Sequence, residues 1–185
     1  MSSNRGKTHS YITDDGVRFC ALDKTFKALL SIDVEHHEIH DGSSYQVTAF
    51  ATGVGSGSIA DFFGITPANV DCHFVFSVSG SGELEFALYE GATVSSNGTP
   101  MSVINRNRKS IKTSTMQAFH TPTVTGVGTL LESGYFGTGK TVGGSNHSDT
   151  EMILKNNTNY LVRITSRSSA NNISGKFMWY EHNAG

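Results

Sequence analysis

The chain has 185 residues and a mass of 19.9 kDa, a length that favours one domain, or one domain with an arm, over two full cores. Hydrophobic residues make up 37% of it and charged residues 16%, the latter below the roughly 25% of ordinary soluble domains, so the core can be filled while the surface is neutral and polar. A formal net charge of −2 supplies no electrostatic footprint for nucleic acid.

The opening residues, MSSNRGKTHSYITDDG, hold no apolar signal-peptide core, and no apolar run approaches the roughly 20 residues of a membrane span. The expectation is a protein made in the cytoplasm, with no membrane role. Residues 1 to 22 are polar and without a period, and read as an arm outside the core. From Asp23, DKTFKALL spaces Phe26, Leu29 and Leu30 for at most two helical turns. Strand signals follow: VEHHEIH (34–40), YQVTAFAT (45–52), CHFVFSVS (72–79), ELEFALYE (83–90), TEMILK (150–155), YLVRITS (160–166) and GKFMWYEH (175–182). They are β-branched and aromatic, and Gly- and Asn-rich clusters separate many of them. SVIN near residue 103 and VTGVGTLLES near residue 128 are weaker strand candidates. Ser79–Gly82 is expected to close one hairpin, and SRSSANNIS a second that carries Trp179 in the last strand. Segments 53–71 and 134–149 read as long Gly-rich loops. The fold class is therefore all-β, an antiparallel sandwich or jelly roll, with residues 1–30 as arm and helical turn and 31–185 as a single sandwich domain.

Several motifs invite a chemical reading. GYFGTGKT, from Gly134 to Thr141, satisfies the phosphate-loop pattern. The VGGSNHSD that follows Thr141 cannot propagate the helix that would aim amides at phosphate, so no nucleotide is expected. In a strand His36, Glu38 and His40 would share a face and could offer metal ligands, although their 6.5 to 7 Å spacing diverges for a mononuclear site. Packed or interface histidines are the preferred reading. Glu83 and Glu85 could imitate a glycosidase pair but read as a solvated strand face. NRNRK is too small for a nucleic-acid groove and reads as a source of local ion pairs. Cys20 and Cys72 read as buried free thiols, and the glycosylation sequons at Asn97, Asn146, Asn156 and Asn172 as products of composition. No nucleophile elbow is present; the expectation is a non-enzyme without cofactors.

The segments SIDVEHHEIHDGSSYQV (31–47), HFVFSVSGSGELEFALYEGAT (73–93), NRNR (105–108) and ILKNNTNYLVRITS with KFMWYEH (153–182) resemble, in that order, a family of small structural proteins of tailed-bacteriophage virions, and the resemblance suggests capsid decoration, or cement, proteins. It implies a β-sandwich homotrimer on the capsid exterior, bound to the major capsid protein after the shell expands. The arm residues Tyr11, Ile12, Val17 and Phe19 are then the candidate capsid contacts. The alternative is a head- or tail-fibre module that binds a receptor or glycan, because jelly rolls host lectin sites in their loops; Tyr135 and Phe136 would supply its aromatic contacts.

Overall fold

The computed structural model describes residues 9–13, 16–20, 34–137, 144–147 and 151–183, and the chain divides into two compact units, residues 1–37 and 38–185. In the first unit, β1 (His9–Thr13) and β2 (Gly16–Cys20) pair antiparallel, with Ile12 opposite Val17, Tyr11 opposite Arg18 and Ser10 opposite Phe19. The arm thus carries regular structure that its polarity concealed. The helical turn expected from Asp23 lies outside the described residues.

The remaining elements are α1 (Val34–Asp41), β3 (Ser44–Val54), β4 (Ile59–Ile65), β5 (Val70–Gly80), β6 (Leu84–Glu90), β7 (Thr93–Ser96), β8 (Thr99–Pro100), β9 (Ile104–Asn105), β10 (Gln117–His120), β11 (Thr123–Gly126), β12 (Thr129–Phe136), β13 (Gly144–His147), β14 (Met152–Leu154), β15 (Asn159–Ser166) and β16 (Asn171–Asn183). Sheet I has the order β12-β6-β15-β4-β10-β8, and sheet II the order β13-β5-β16-β3-β9, with β14 also on β5. The links β3 to β4, β4 to β5, β5 to β6 and β15 to β16 each pass from one sheet to the other. Four strands in the order β4-β15-β6-β12 against β3-β16-β5 and its β13/β14 edge make the strand order of a jelly roll.

That order corrects the two expected hairpins. β5 and β6 belong to different sheets, as do β15 and β16, so Ser79–Gly82 and residues 167–170 are arches across the sandwich. Hydrophobic alternation is identical for two strands that pair and two that face each other, which is why it could not separate them. Inward residues interdigitate: Phe62 stacks on Phe177 with ring centroids 4.0 Å apart, and Phe76 meets Phe86 edge-on at 5.7 Å.

Segment 53–71 is not a loop throughout, since β4 runs through it and pairs with both β15 and β10. Phe62 and Phe63 are both buried, on opposite faces. Phe62 enters the sandwich core, while Phe63 and Leu161 lie on the far side of sheet I, beside Ala92, Val94 and Val124 of the segments around the β7–β11 ribbon. A strand buried on both faces loses its period of two, and the signal was lost with it. Likewise 134–149 contains the end of β12 and all of β13.

Residues 34–40 form a helix rather than a strand. Gly42, at φ +79°, ends it: its N–H reaches Ile39 O (3.1 Å), and the Ser43 N–H reaches back to Glu38 O (3.0 Å), the paired bonds of a Schellman cap. Asn105 and Asn107 of the basic run then bind the exit of the helix, donating to Gly42 O (2.7 Å) and His40 O (3.0 Å). The NRNRK run therefore clamps the α1–β3 junction, and Lys112 adds a 2.7 Å ion pair to Asp41. Among the described residues no helix is long and apolar enough to cross a membrane.

Candidate functional site

The two outer faces of the sandwich differ in chemistry. On sheet I, register places three cross-strand rows side by side: Tyr135-Glu85-Thr165, Ser133-Ala87-Arg163, and Leu130-Tyr89-Leu161. The irregularity between Leu130 and Glu132 re-aims Leu130 onto this face, as bulges do. Because the middle row is small at Ser133 and Ala87, a hollow of about 450 Å3 opens there, walled by Tyr135, Tyr89 and Leu130. Charged groups line its polar side, each matched by a partner. Arg163 holds Asp61 through two bonds of 3.0 and 2.8 Å, Arg167 donates to Glu85 at 2.6 Å, and the Tyr135 hydroxyl donates to Glu83 at 2.7 Å. The Glu83 bond holds the Tyr135 phenol above its ordinary pKa, and the Asp61 bond does the same for the Arg163 guanidinium.

Among the described residues, the outer face of sheet II carries no such charge pattern in its middle. Its rows run Ile104-Gln46-Met178-Val75, Thr48-Lys176-Ser77 and Phe50-Ser174-Ser79, with Lys176 as their one charged member. Phe50 is 71% exposed and Ile104 41%. At the end nearer α1 the next row joins Tyr180, His73 and Ile153, with Ile153 64% exposed.

That end gathers the histidines that sequence spacing did not reveal. His73 stacks on Tyr180 at 4.4 Å and meets His182 at 4.8 Å, and its Nδ1 lies 2.6 Å from Glu151 Oε1. Glu38 is buried, accepts the Ser43 hydroxyl and approaches His182 Nδ1 at 3.8 Å. His36, Glu38 and His40 do not share the face that a strand would give them, because a helix turns Glu38 inward, and His36 and His40 are exposed rather than packed. Among the described residues no group of three or more His, Cys, Asp or Glu could hold a metal.

The other motifs of the sequence have structural partners in the fold. Gly134 sits within β12, where an added Cβ would lie 2.4 Å from the Phe86 ring; the first glycine of the phosphate-loop pattern makes room for the core, and residues 138–141 lie outside the described ones. Tyr135 belongs to β12 rather than to a loop, and Phe136 is placed by its backbone opposite Leu84. Glu83 and Glu85 are bound to Tyr135 and Arg167. Burial pushes the Cys72 thiol up to about 12, helped by Glu181 and Asp71, so it is not a thiolate at neutral pH. Glu181 itself resembles a poised carboxylate but is a structural tie. It accepts from Ser114 Oγ (2.6 Å), from the Thr115 and Met116 amides (3.0 and 3.1 Å) and from Trp179 Nε1 (3.1 Å), fastening loop 112–116 to the last strand.

Fold and surface together define an all-β jelly-roll sandwich with one ion-paired face and one face nearly uncharged in its middle rows. No family model, curated protein or solved structure matches the chain.

Proposed function

We propose that the chain is a structural virion protein that trimerises through the outer face of sheet II and binds the exterior of a tailed-phage capsid, stabilising the assembled shell. The observation that carries this reading is that face: open, nearly uncharged in its middle rows, and studded with exposed Phe50, Ile104 and Ile153. Three-fold closure needs a heterologous contact. Turned toward the axis, the Ile104 and Phe50 side of one copy meets the Val75 and Ile153 side of the next. Trimer symmetry multiplies weak contacts by effective concentration, and a trimer that binds only the assembled lattice raises the cost of taking it apart. The hairpin β1–β2, with Tyr11, Ile12, Val17 and Phe19, supplies the attachment to the major capsid protein.

Met178 is the test position. Sedimentation of the purified protein should give a trimer, and Met178→Glu, which brings like charges together around the axis, should leave a folded monomer of 19.9 kDa. Ser133→Glu, on the opposite face, should leave the trimer intact. Gel densitometry of purified particles should then show hundreds of copies per virion, and deletion of residues 2–20 should abolish decoration without dissolving the trimer. A parent protein that sediments as a monomer, or particles without it, would overturn the reading.

A further inference from the structure

The hollow over Ala87 and Ser133 is built on regular strands, away from the face assigned to trimerisation. Its end rows are separated by four residues along β6 and β15, roughly 13 to 14 Å, room for one or two sugar rings between the tyrosines. Three features define what would sit there. Its wall is aromatic and apolar at Tyr135, Tyr89 and Leu130, which suits a ligand with a flat C–H face. Its polar side offers guanidinium N–H donors beside carboxylate acceptors, a set that satisfies groups able both to donate and to accept, as hydroxyls do. Its charges are already matched, Arg163 with Asp61 and Arg167 with Glu85, so neither an anion nor a cation gains by entering.

An apolar face edged with hydroxyls, and no net charge, describes a pyranose. We infer that this hollow is a carbohydrate-binding site that takes a neutral hexopyranose unit, stacked on Tyr135 and bonded through its hydroxyls to Arg163 and Glu85. Tyr135 is well placed for the role: it is 49% exposed, and its bond to Glu83 fixes the ring without consuming its face. A ring already held loses little freedom on binding. A shallow site of this kind binds single sugars at millimolar strength and gains by multivalency, which a trimer would supply. The inference does not depend on a capsid, and its test uses purified full-length protein.

Isotope-labelled protein is titrated with the methyl glycosides of glucose, galactose, mannose and N-acetylglucosamine to about 50 mM, enough to saturate a millimolar site, and with glucuronate as a charged control. At least one neutral glycoside should shift the amide signals of residues 85–89, 133–135 and 163 saturably. Ala87→Met, which fills the floor, should abolish those shifts, and Tyr135→Ala should weaken binding at least tenfold, whereas Tyr135→Phe should stay within about threefold because the ring face remains. Melting temperatures confirm that each variant is folded. The site is refuted if no glycoside shifts these residues, if glucuronate alone binds, or if folded Ala87→Met binds as the parent does.

Discussion

Both outer faces of this sandwich alternate with the same core, yet one has been covered over its middle strands and the other left open in its middle rows. On sheet I, Phe63 and Leu161 point away from the inter-sheet core and are nevertheless completely buried, because the segments around the β7–β11 ribbon lie over them. Beside them the charges are paired laterally, strand to strand. On sheet II the equivalent outward positions, Thr48 and Lys176, stay exposed. Alternation therefore identifies which side chains leave a core, and only a third layer decides which of them leave solvent.

The largest expected effect tests that third layer. Phe63→Ala should destabilise by about 3 to 5 kcal/mol, as for a large aromatic in a closed core, while Thr48→Ala on the open face should stay within about 0.5 kcal/mol. Urea unfolding midpoints measure both. Similar small losses at the two positions would mean that the ribbon does not exclude water from Phe63, and the contrast between the faces would fall.

Next in size is the ion pair that shares the sheet I face with the hollow. The Asp61 side chain is 8% exposed and that of Arg163 23%, so Arg163→Ala strands a carboxylate with little water. The cost should approach the roughly 3 kcal/mol of a broken buried pair. An Asp61→Leu/Arg163→Met double variant should recover most of it, since neither charge is then left alone. Lys176→Ala on sheet II should be nearly neutral. Equal losses for the Arg163 single and the double variant would show that packing of the arginine stem, rather than the stranded charge, sets the cost.

The sequence pattern made much of the sandwich legible and very little of the sites. Strands such as β5 and β6 alternate cleanly because one face of each is core, and the all-β class followed from them. β4 is illegible in the pattern because Phe62 and Phe63 are adjacent and both buried. The eight residues of α1 offer too little apolar periodicity to distinguish them from a strand, although Asp41-Gly42 is a legible stop signal. The hollow was illegible for a different reason. Tyr135, Ala87 and Arg163 come from three strands, and nothing but register makes Ser133 and Ala87 a floor. His73 and His182 are likewise joined only by the pairing of β5 with β16, whereas the histidines adjacent in sequence, His36 and His37, lie on an exposed helical stretch.

The smallest expected effect concerns pH and lies at the end of the sandwich, between the faces. Glu90 accepts from Lys155 Nζ at 2.7 Å and from the buried Tyr160 hydroxyl at 2.8 Å, and these bonds, Lys155 first, hold its carboxyl below the ordinary glutamate range. A folded-state pKa below the unfolded one contributes stability that is present above the unfolded value, near 4.3, and is lost as pH falls through the folded value. The Lys155 side chain is 71% exposed, so solvent screens its share and the whole contribution should be about 0.5 to 1 kcal/mol. Glu90→Gln should therefore be less stable than the parent by that amount at pH 7, with the gap closing as both approach pH 3. Paired urea titrations at the two pH values measure the difference. A gap of the same size at both would assign the loss to amide packing against Tyr160 rather than to the carboxylate charge, and the acid sensitivity of the fold would then have to come from the carboxylates of the sheet I face.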